Sequence, residues 1–508
     1  MNTRNTNKLR FVLLACFLFL GGNIFALPFD MILVGDPALE DLRFLSLKSG
    51  RPLLSFTPPL APAEVESFLD SIDSSLLSEP AQQAYYRVRE RLIPQARLSF
   101  TSDNFAALLN INSTVEARVR FNTDLDWYPQ NPDIPHMLAF PARLFFADTV
   151  QLYMEPFATI SIRHFERANT FGTNLHYSPE DGLDPTFPHR AFLAAGGQWW
   201  SFQLGRDRLF WGTGHTGSFS FSDNSNYFDY ARISLFSPRI KYSLIINQMP
   251  LHEVMQRHFY LHRLDFTIGN TLSIGIMEGR MVADTPLHLR YMNPLMIFFP
   301  HPSEVQTSSL FALEANWNIA RAFSVYGQFA ITDFILPSTS SNGSSPGGFG
   351  FMTGVNFTRS FGHWASIFFV EYIYTSTDLF MGSSSQASLV QRNRICISRN
   401  RHYFIGHSRD TTALTLGTRF FRGNTLSLQG ELSRLSRGAF AVSYVPRNGT
   451  LSGANEHNYI ASFAARWQPF THFAFGGSIT GIFSHNHNNN SGENIAGGQA
   501  SFSVIFQY

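Results

Sequence analysis

From Leu108 to the C-terminus the chain alternates apolar and polar residues with a period of two, and no other feature constrains its fold so tightly. Between Leu108 and Asn122 the odd positions Leu109, Ile111, Val115, Ala117, Val119 and Phe121 are apolar, while the even ones include Glu116, Arg118, Arg120 and Asn122. Successive side chains of a strand point to opposite faces, so such a stretch reads as a strand with one apolar and one polar face. The alternation returns at Leu414, Leu416 and Phe420 against Thr415 and Arg419, and at Leu426, Leu428 and Leu432 against Gln429 and Glu431. About sixteen such segments lie between Leu108 and Tyr508, each near the roughly 10 residues that a tilted membrane-crossing strand requires.

Composition decides where the apolar face goes. Phe supplies 51 of 508 residues and charged residues only 15%, against about 25% in ordinary soluble chains. A soluble β-protein hides its aromatics, whereas an outer-membrane barrel displays them to lipid and in girdles at both interfaces. Past the N-terminal leader no apolar run approaches the roughly 20 residues of a spanning helix, which excludes helical insertion. The expected fold class is an all-β membrane barrel of antiparallel strands in a diderm outer membrane, with outer-membrane lipid as its surroundings. A net charge of +1 speaks against a nucleic-acid partner.

The connections between strands supply a separate test, because such barrels alternate short periplasmic turns with long outer loops. Counted back from the end, His485–Asn494 is long, Pro469-Phe470 short, 438–457 long, Arg422-Gly423-Asn424 short, 377–410 long and Phe361-Gly362-His363 short. The pattern continues to Pro238-Arg239 and puts the stretch around Trp211 on the outer side. It breaks at Glu166–His189, which is long where a turn is due; a missed strand near Thr170–Tyr177 would mend it. The last strand places Ala500, Phe502, Val504, Phe506 and Tyr508 on one face. An aromatic C-terminal strand of this kind resembles the signal read by the barrel-assembly machinery, which makes that machinery an expected partner.

Two segments precede the barrel. Arg4, Lys8 and Arg10 lead into an apolar run, Phe11–Leu20, and residues 1–26 fit a secretory signal peptide cut after Ala26. Leu13-Leu14-Ala15-Cys16 offers lipoprotein processing as a rival. Without the leader Cys396 is the only cysteine, so no internal disulfide forms. Residues 27–94 then carry three helical stripes, opened at Asp36-Pro37, Pro62 and Ser78-Glu79-Pro80, with Val65, Phe68, Leu69 and Ile72 as one example of the spacing. They read as a small periplasmic helical domain ahead of a barrel over 95–508.

Candidate site residues concentrate in 204–235. Arg206, Asp207 and Arg208 stand beside Phe210 and Trp211; Gly212, Gly214 and Gly217 permit close approaches; Ser218–Ser222 alternates hydroxyl and Phe. The stretch reads as a hairpin with a kinked, side-chain-rich tip. Trp211, Tyr227, Phe228 and Tyr230 beside these charges make a sugar-binding mixture, since an aromatic face covers C–H patches while charges meet hydroxyls. The same aromatics also suit an interfacial girdle. A second, basic group, Arg392, Arg394, Arg399 and Arg401, would take carboxylate or phosphate, and equally suits a solvated loop near anionic headgroups.

Catalysis finds little support. His215 with Ser218 or Ser220 lacks an argued third member, so no enzyme activity is expected. His485 and His487 sit in a polar loop tip without the companions of a metal site, and neither metal nor cofactor is expected.

The landmarks Gly205-Arg206, Trp211-Gly212-Thr213-Gly214, Gly217-Ser218 and Ser222-Asp223-Asn224 resemble those of the capsule assembly Wzi family of outer-membrane barrels. His262-Arg263-Leu264, Glu278 and Tyr291-Met292-Asn293-Pro294-Leu295 are similar to that family's later strands and turn. Thr213 departs from the family, which usually has proline there. The resemblance implies about eighteen strands, widening the expected count to about 16–18, and a helical periplasmic portion. It also implies a lectin-like role at the cell surface toward capsule-like polysaccharide. Under it Arg206, Trp211, Asn224, Arg263 and Glu278 are architectural or glycan-facing, and Asp207, Arg208 and Tyr227 join them as candidate glycan ligands. Three readings follow: a polysaccharide-binding barrel with a plugged lumen, a diffusion porin with an open one, and an adhesin using its long loops.

Overall fold

The computed structural model describes residues 29–508 apart from 95, 97, 103, 123–124, 126–136, 159–170, 174–189, 223–226, 253–254, 284–285, 297–306, 333–347, 381–389, 392–402, 405–408 and 440–453. The leader therefore lies outside the described residues, as do Asn224, Arg392, Arg394, Arg399 and Arg401.

Twenty-three strand segments form one sheet. Phe105–Leu109 continues into Asn112–Phe121, Leu138–Ala139 into Ala142–Phe146, and Val150–Met154 into Phe157–Ala158, each pair making one bent strand. Leu98–Ser102 and Phe171–Thr173 are short additions beside the first of these. Eighteen staves remain among the described residues, the number that the family resemblance implies. The last, Asn494–Gln507, pairs with the first, Gly498 opposite Phe121 and Gln507 opposite Asn112. The sheet closes, so no unpaired edge has to face hydrocarbon.

The short connections all gather at one end of the ring. At one end the links are residues 147–149, 197–199, 237–239, 269–271, 321–322, 362–363, 423–425 and 471–472. The long connections all lie at the other end, where strands Ile240–His252 and Met255–Ile268 alone follow one another closely in sequence. The irregularity expected at Glu166–His189 disappears because residues 197–199 are a turn separating strand Ala191–Gly196 from strand Trp200–Asp207. Phe171–Thr173 is a strand in the suspected place, but it only pairs beside Ala117–Val119.

The two faces follow the alternation. Leu432, Phe463, Ile479, Phe483 and Phe502 are exposed on the outside. Inside, Arg118 pairs with Glu116, and Arg120 donates to Gln499 Oε1 at 2.7 Å.

Three helices stand at the short-turn end: α1 (Ala38–Ser49), α2 (Pro62–Asp70) and α3 (Glu79–Arg91). Asp36 accepts from the amide of Ala38 at 3.0 Å, and Gly50, with φ of 72°, ends α1 in the left-handed conformation that glycine adopts without penalty. Leu42, Phe44 and Leu45 are fully buried, each worth roughly 1.5–3 kcal/mol relative to exposure. The helices share their core with the barrel, since Phe210, Ala365 and Ile367 belong to the same apolar cluster. Arg91 at the end of α3 bridges Asp36 at 2.6 Å and Asp30 at 2.9 Å, and Arg143 of the wall meets Asp30 at 2.7 Å.

Candidate functional site

The connection that leaves strand Trp200–Asp207 starts at the long-connection end but turns inward and fills part of the lumen. This corrects the expectation that Trp211 lies on an outer bend. Leu209, Trp211, Phe219 and Phe221 are all at 0% exposure, in one cluster with Ile245, Phe259, Leu261, Met277, Leu310 and Met352 of the inner wall. Five large apolar side chains within thirteen residues cost too much in water for a surface loop, and the lumen wall gives them a surface to bury against.

Local polar contacts make the turn possible. The amide of Trp211 donates to Phe221 O at 2.9 Å, and the hydroxyls of Ser218 and Ser220 both donate to Trp211 O. The Ser–Phe alternation thus sends hydroxyls back to the segment's own carbonyl and rings to the wall. A Cβ on Gly214 would lie 2.4 Å from Gly217 O, so that position tolerates no side chain, and one on Gly212 would lie 2.1 Å from Gln328 Nε2 and displace the amide that accepts from Phe219 N.

The segment is then clamped from below by the helical region. Arg43 of α1 donates to Thr213 O at 2.7 Å and Gly214 O at 3.0 Å. The amide of Gly212 donates to Phe56 O, and that of Phe210 to Pro58 O. Arg232 of the wall donates to Thr57 O and Pro59 O and lies 5.2 Å from the Trp211 ring centre. His215 bonds Asn356 at 2.8 Å and stacks on Phe369 at 4.1 Å, while its amide and that of Thr216 donate to the Glu371 carboxylate. Burial first, and then the charges of Arg43 and Arg419, push the His215 imidazole well below its usual pKa. His215 is therefore directed away from Ser218 and Ser220, and no Ser–His pair forms.

Among the expected site residues, Asp207, Arg208 and Tyr227 converge. Asp207 is fully buried, ion-paired to Arg190 at 2.7 Å, and accepts from the amide of Arg208 at 2.7 Å. The guanidiniums of Arg208 and Arg190 lie 5.6 and 5.9 Å from the centre of the Tyr227 ring. Arg208, Arg190 and Tyr227 are only partly buried. An aromatic ring beside two guanidiniums, one of them held by a buried carboxylate, can meet C–H groups while the guanidiniums donate to hydroxyl or carboxylate oxygens. Arg190 was missed because it is an isolated cation at the end of a long connection, and only the sheet register carries it across to Asp207.

The other expected residues lie elsewhere. Trp211 belongs to the dry core just described. Arg263, at 1% exposure, pairs with Asp265 at 2.7 Å and Glu314 at 3.2 Å on the same inner wall, one row along its strand from Leu261 of that core. Arg206 faces outward and holds Asp229 through two 2.7 Å bonds. Glu278 is opposite His262 on the outer face. Phe228 and Tyr230 face inward and join the Trp211 cluster. His485 bonds Asn494, His487 approaches Glu456 at 3.6 Å, and no metal-holding group of His, Cys, Asp or Glu occurs among the described residues.

Neither a protein-family model nor a curated protein matches the sequence. Solved structures do match. Wzi of Escherichia coli, an outer membrane protein involved in group 1 capsule assembly and a carbohydrate-binding β-barrel, aligns over 93% of this chain and 98% of its own, with a TM-score of 0.59 at 14% identity. The chain has the Wzi fold. Two Pseudomonas aeruginosa barrels, OccK11 and OccK3, align over 81% and 80% of this chain and 99% and 96% of their own, at TM-scores of 0.44 and 0.43 and 9% and 11% identity. The resemblance read from Trp211-Gly212, Tyr291 and their neighbours is thereby met at the level of fold: an outer-membrane β-barrel, as in Wzi, with helices at its N-terminus.

Proposed function

We propose that the chain binds or organises a surface, capsule-like polysaccharide from the long-connection end of the barrel, without catalysing a reaction. In this reading the long connections face the cell exterior and the helical region the periplasm, and the C-terminal strand ending at Tyr508 engages the barrel-assembly machinery. The observation that carries it is the Tyr227 ring with the Arg208 and Arg190 guanidiniums 5.6 and 5.9 Å from its centre, Arg190 being held by buried Asp207. Support also comes from the lumen, which the 208–222 segment fills along one wall as expected of a binding barrel rather than an open channel. The likeness to Wzi, a carbohydrate-binding barrel, supports the same direction.

The test is binding of the detergent-held barrel to the source organism's purified surface polysaccharide. Wild type should bind saturably, and Tyr227→Ala and Arg208→Ala at matched folded fraction should lose at least tenfold in affinity. Folded wild type that binds nothing rejects the reading for that glycan.

A second reading, a diffusion pore, is favoured by one observation. The inward residues Gln429, Glu431, Ser462, Arg466 and Thr480 remain partly exposed on the wall opposite the filled one. A large, steady wild-type conductance in a planar bilayer would select it.

A further inference from the structure

The outer wall carries a dent at one place along strands Leu426–Arg437, Glu456–Phe470, Phe473–His485 and Asn494–Gln507. Sheet register sets the outward side chains in rows. One row reads Leu416, Leu432, Ala461, Gly481, Gly498, ending in residues with almost no side chain. The row above it reads Leu414, Arg434, Tyr459, Phe483, and the row below contains Phe463 and Ile479. Small residues between two bulky rows leave an apolar hollow of about 560 Å³, within the roughly 300–1,000 Å³ of small-molecule sites. Its walls are Leu432, Tyr459 and Phe483, all well exposed.

Charge lies at one end only. Arg434 stands three residues from the end of its strand on the long-connection side, its guanidinium 5.9 Å from the centre of the Tyr459 ring. The next row outward is Ser436, His457, His485, with Ser436 Oγ and His457 Nδ1 2.8 Å apart and the two imidazoles stacked 6.3 Å apart. Among the described residues Arg434 has no ion pair with a carboxylate. An apolar hollow at membrane depth, topped by a guanidinium and imidazoles, complements a molecule with an acyl chain and an anionic head. Arg presents a fork of donors that matches phosphate oxygens, and strand tilt of about 35–45° sets the row obliquely to the membrane plane, a path that a chain entering from the headgroup level can follow.

We propose that this hollow is a binding site for a phosphorylated membrane lipid of the leaflet on the long-connection side. One acyl chain lies across Gly481 and Ala461, and the phosphate meets Arg434 with His457 or His485.

Gly481 allows a clean test, because a Cβ there meets no atom within 4 Å. A larger side chain fills the hollow without disturbing the sheet. The full-length barrel in mild detergent is titrated with dipalmitoyl phosphatidic acid, or with dipalmitoyl phosphatidylcholine, and retained lipid is counted by native mass spectrometry. Wild type should retain one phosphatidic acid per chain and at least tenfold less phosphatidylcholine. Gly481→Leu and Arg434→Gln, each confirmed folded by heat-modifiable mobility, should each lower that retention at least tenfold. Equal retention of both lipids by wild type, or unchanged retention in both variants, would overturn the proposal; loss with Gly481→Leu alone would overturn the phosphate contact.

Discussion

Arg43 of α1 donates to the carbonyl oxygen of Thr213 at 2.7 Å, and to that of Gly214 at 3.0 Å, so one side chain holds the inward segment to the helical region. A partly buried guanidinium serving two carbonyls is a strong clamp. Arg43→Ala leaves both acceptors without their donor, at about 1–3 kcal/mol each. We expect wild type to conduct weakly in a planar bilayer and Arg43→Ala to show frequent larger openings. Identical conductance records would mean that the segment stays in place without the clamp.

His215 makes that attachment sensitive to acid. It belongs to the inward segment, outside the spanning strands, and its folded pKa lies well below its usual value because it is buried and faces Arg43 and Arg419. A base with a depressed folded pKa contributes stability that is complete above its unfolded pKa, about 6.5, and that is lost as pH falls toward the folded value. Heat-modification midpoints should therefore drop between pH 7.5 and 5. A His215→Gln barrel, which cannot titrate there, should show a smaller drop; equal drops in both would assign the effect to other groups.

Trp211 fills the centre of the dry cluster. Trp211→Ala should cost about 3–5 kcal/mol, the usual range for a large buried aromatic, and lower the unfolding midpoint of the detergent-held barrel. Because Trp211 is fully buried and offers no surface to a glycan, polysaccharide affinity at matched folded fraction should stay within twofold of wild type. A tenfold loss of affinity would return Trp211 to the binding surface.

Arg263 neutralises Asp265 and Glu314, which are 1% and 5% exposed. Arg263→Met leaves two carboxylates buried without their cation, a loss of about 3–5 kcal/mol. Adding Asp265→Leu and Glu314→Gln should recover part of it, since the unpaired charges are then gone. Chemical denaturation of the three barrels side by side decides the point: a triple variant no more stable than the single one would contradict the account.

Much of the architecture could be read from residue order alone. The period of two along Leu414–Phe420 or Val115–Phe121 specifies inside and outside without any knowledge of neighbours, because the strand repeat is local. Helix starts at Pro62 and Glu79 and turns such as Phe361-Gly362-His363 are equally local. The turn at 197–199 escaped because Gly196-Gly197-Gln198-Trp199-Trp200 mixes turn residues with aromatics that read as strand.

What the chain order could not reveal was which side of the wall a connection takes. The Trp211 stretch and any outer loop leave the sheet from the same end, and glycine, charge and aromatic content permit either course. Only the assembled inner wall offers Ile245, Phe259 and Met277 as a surface for Phe219 and Phe221, together with the Arg43 donors for the carbonyls of Thr213 and Gly214. The same holds for Arg190 and Asp207, which are seventeen positions apart and become partners through strand register. Strands, helices and their faces follow from short-range periodicity; the filled lumen and the Tyr227 cluster follow from which surfaces closure of the barrel brings within contact distance.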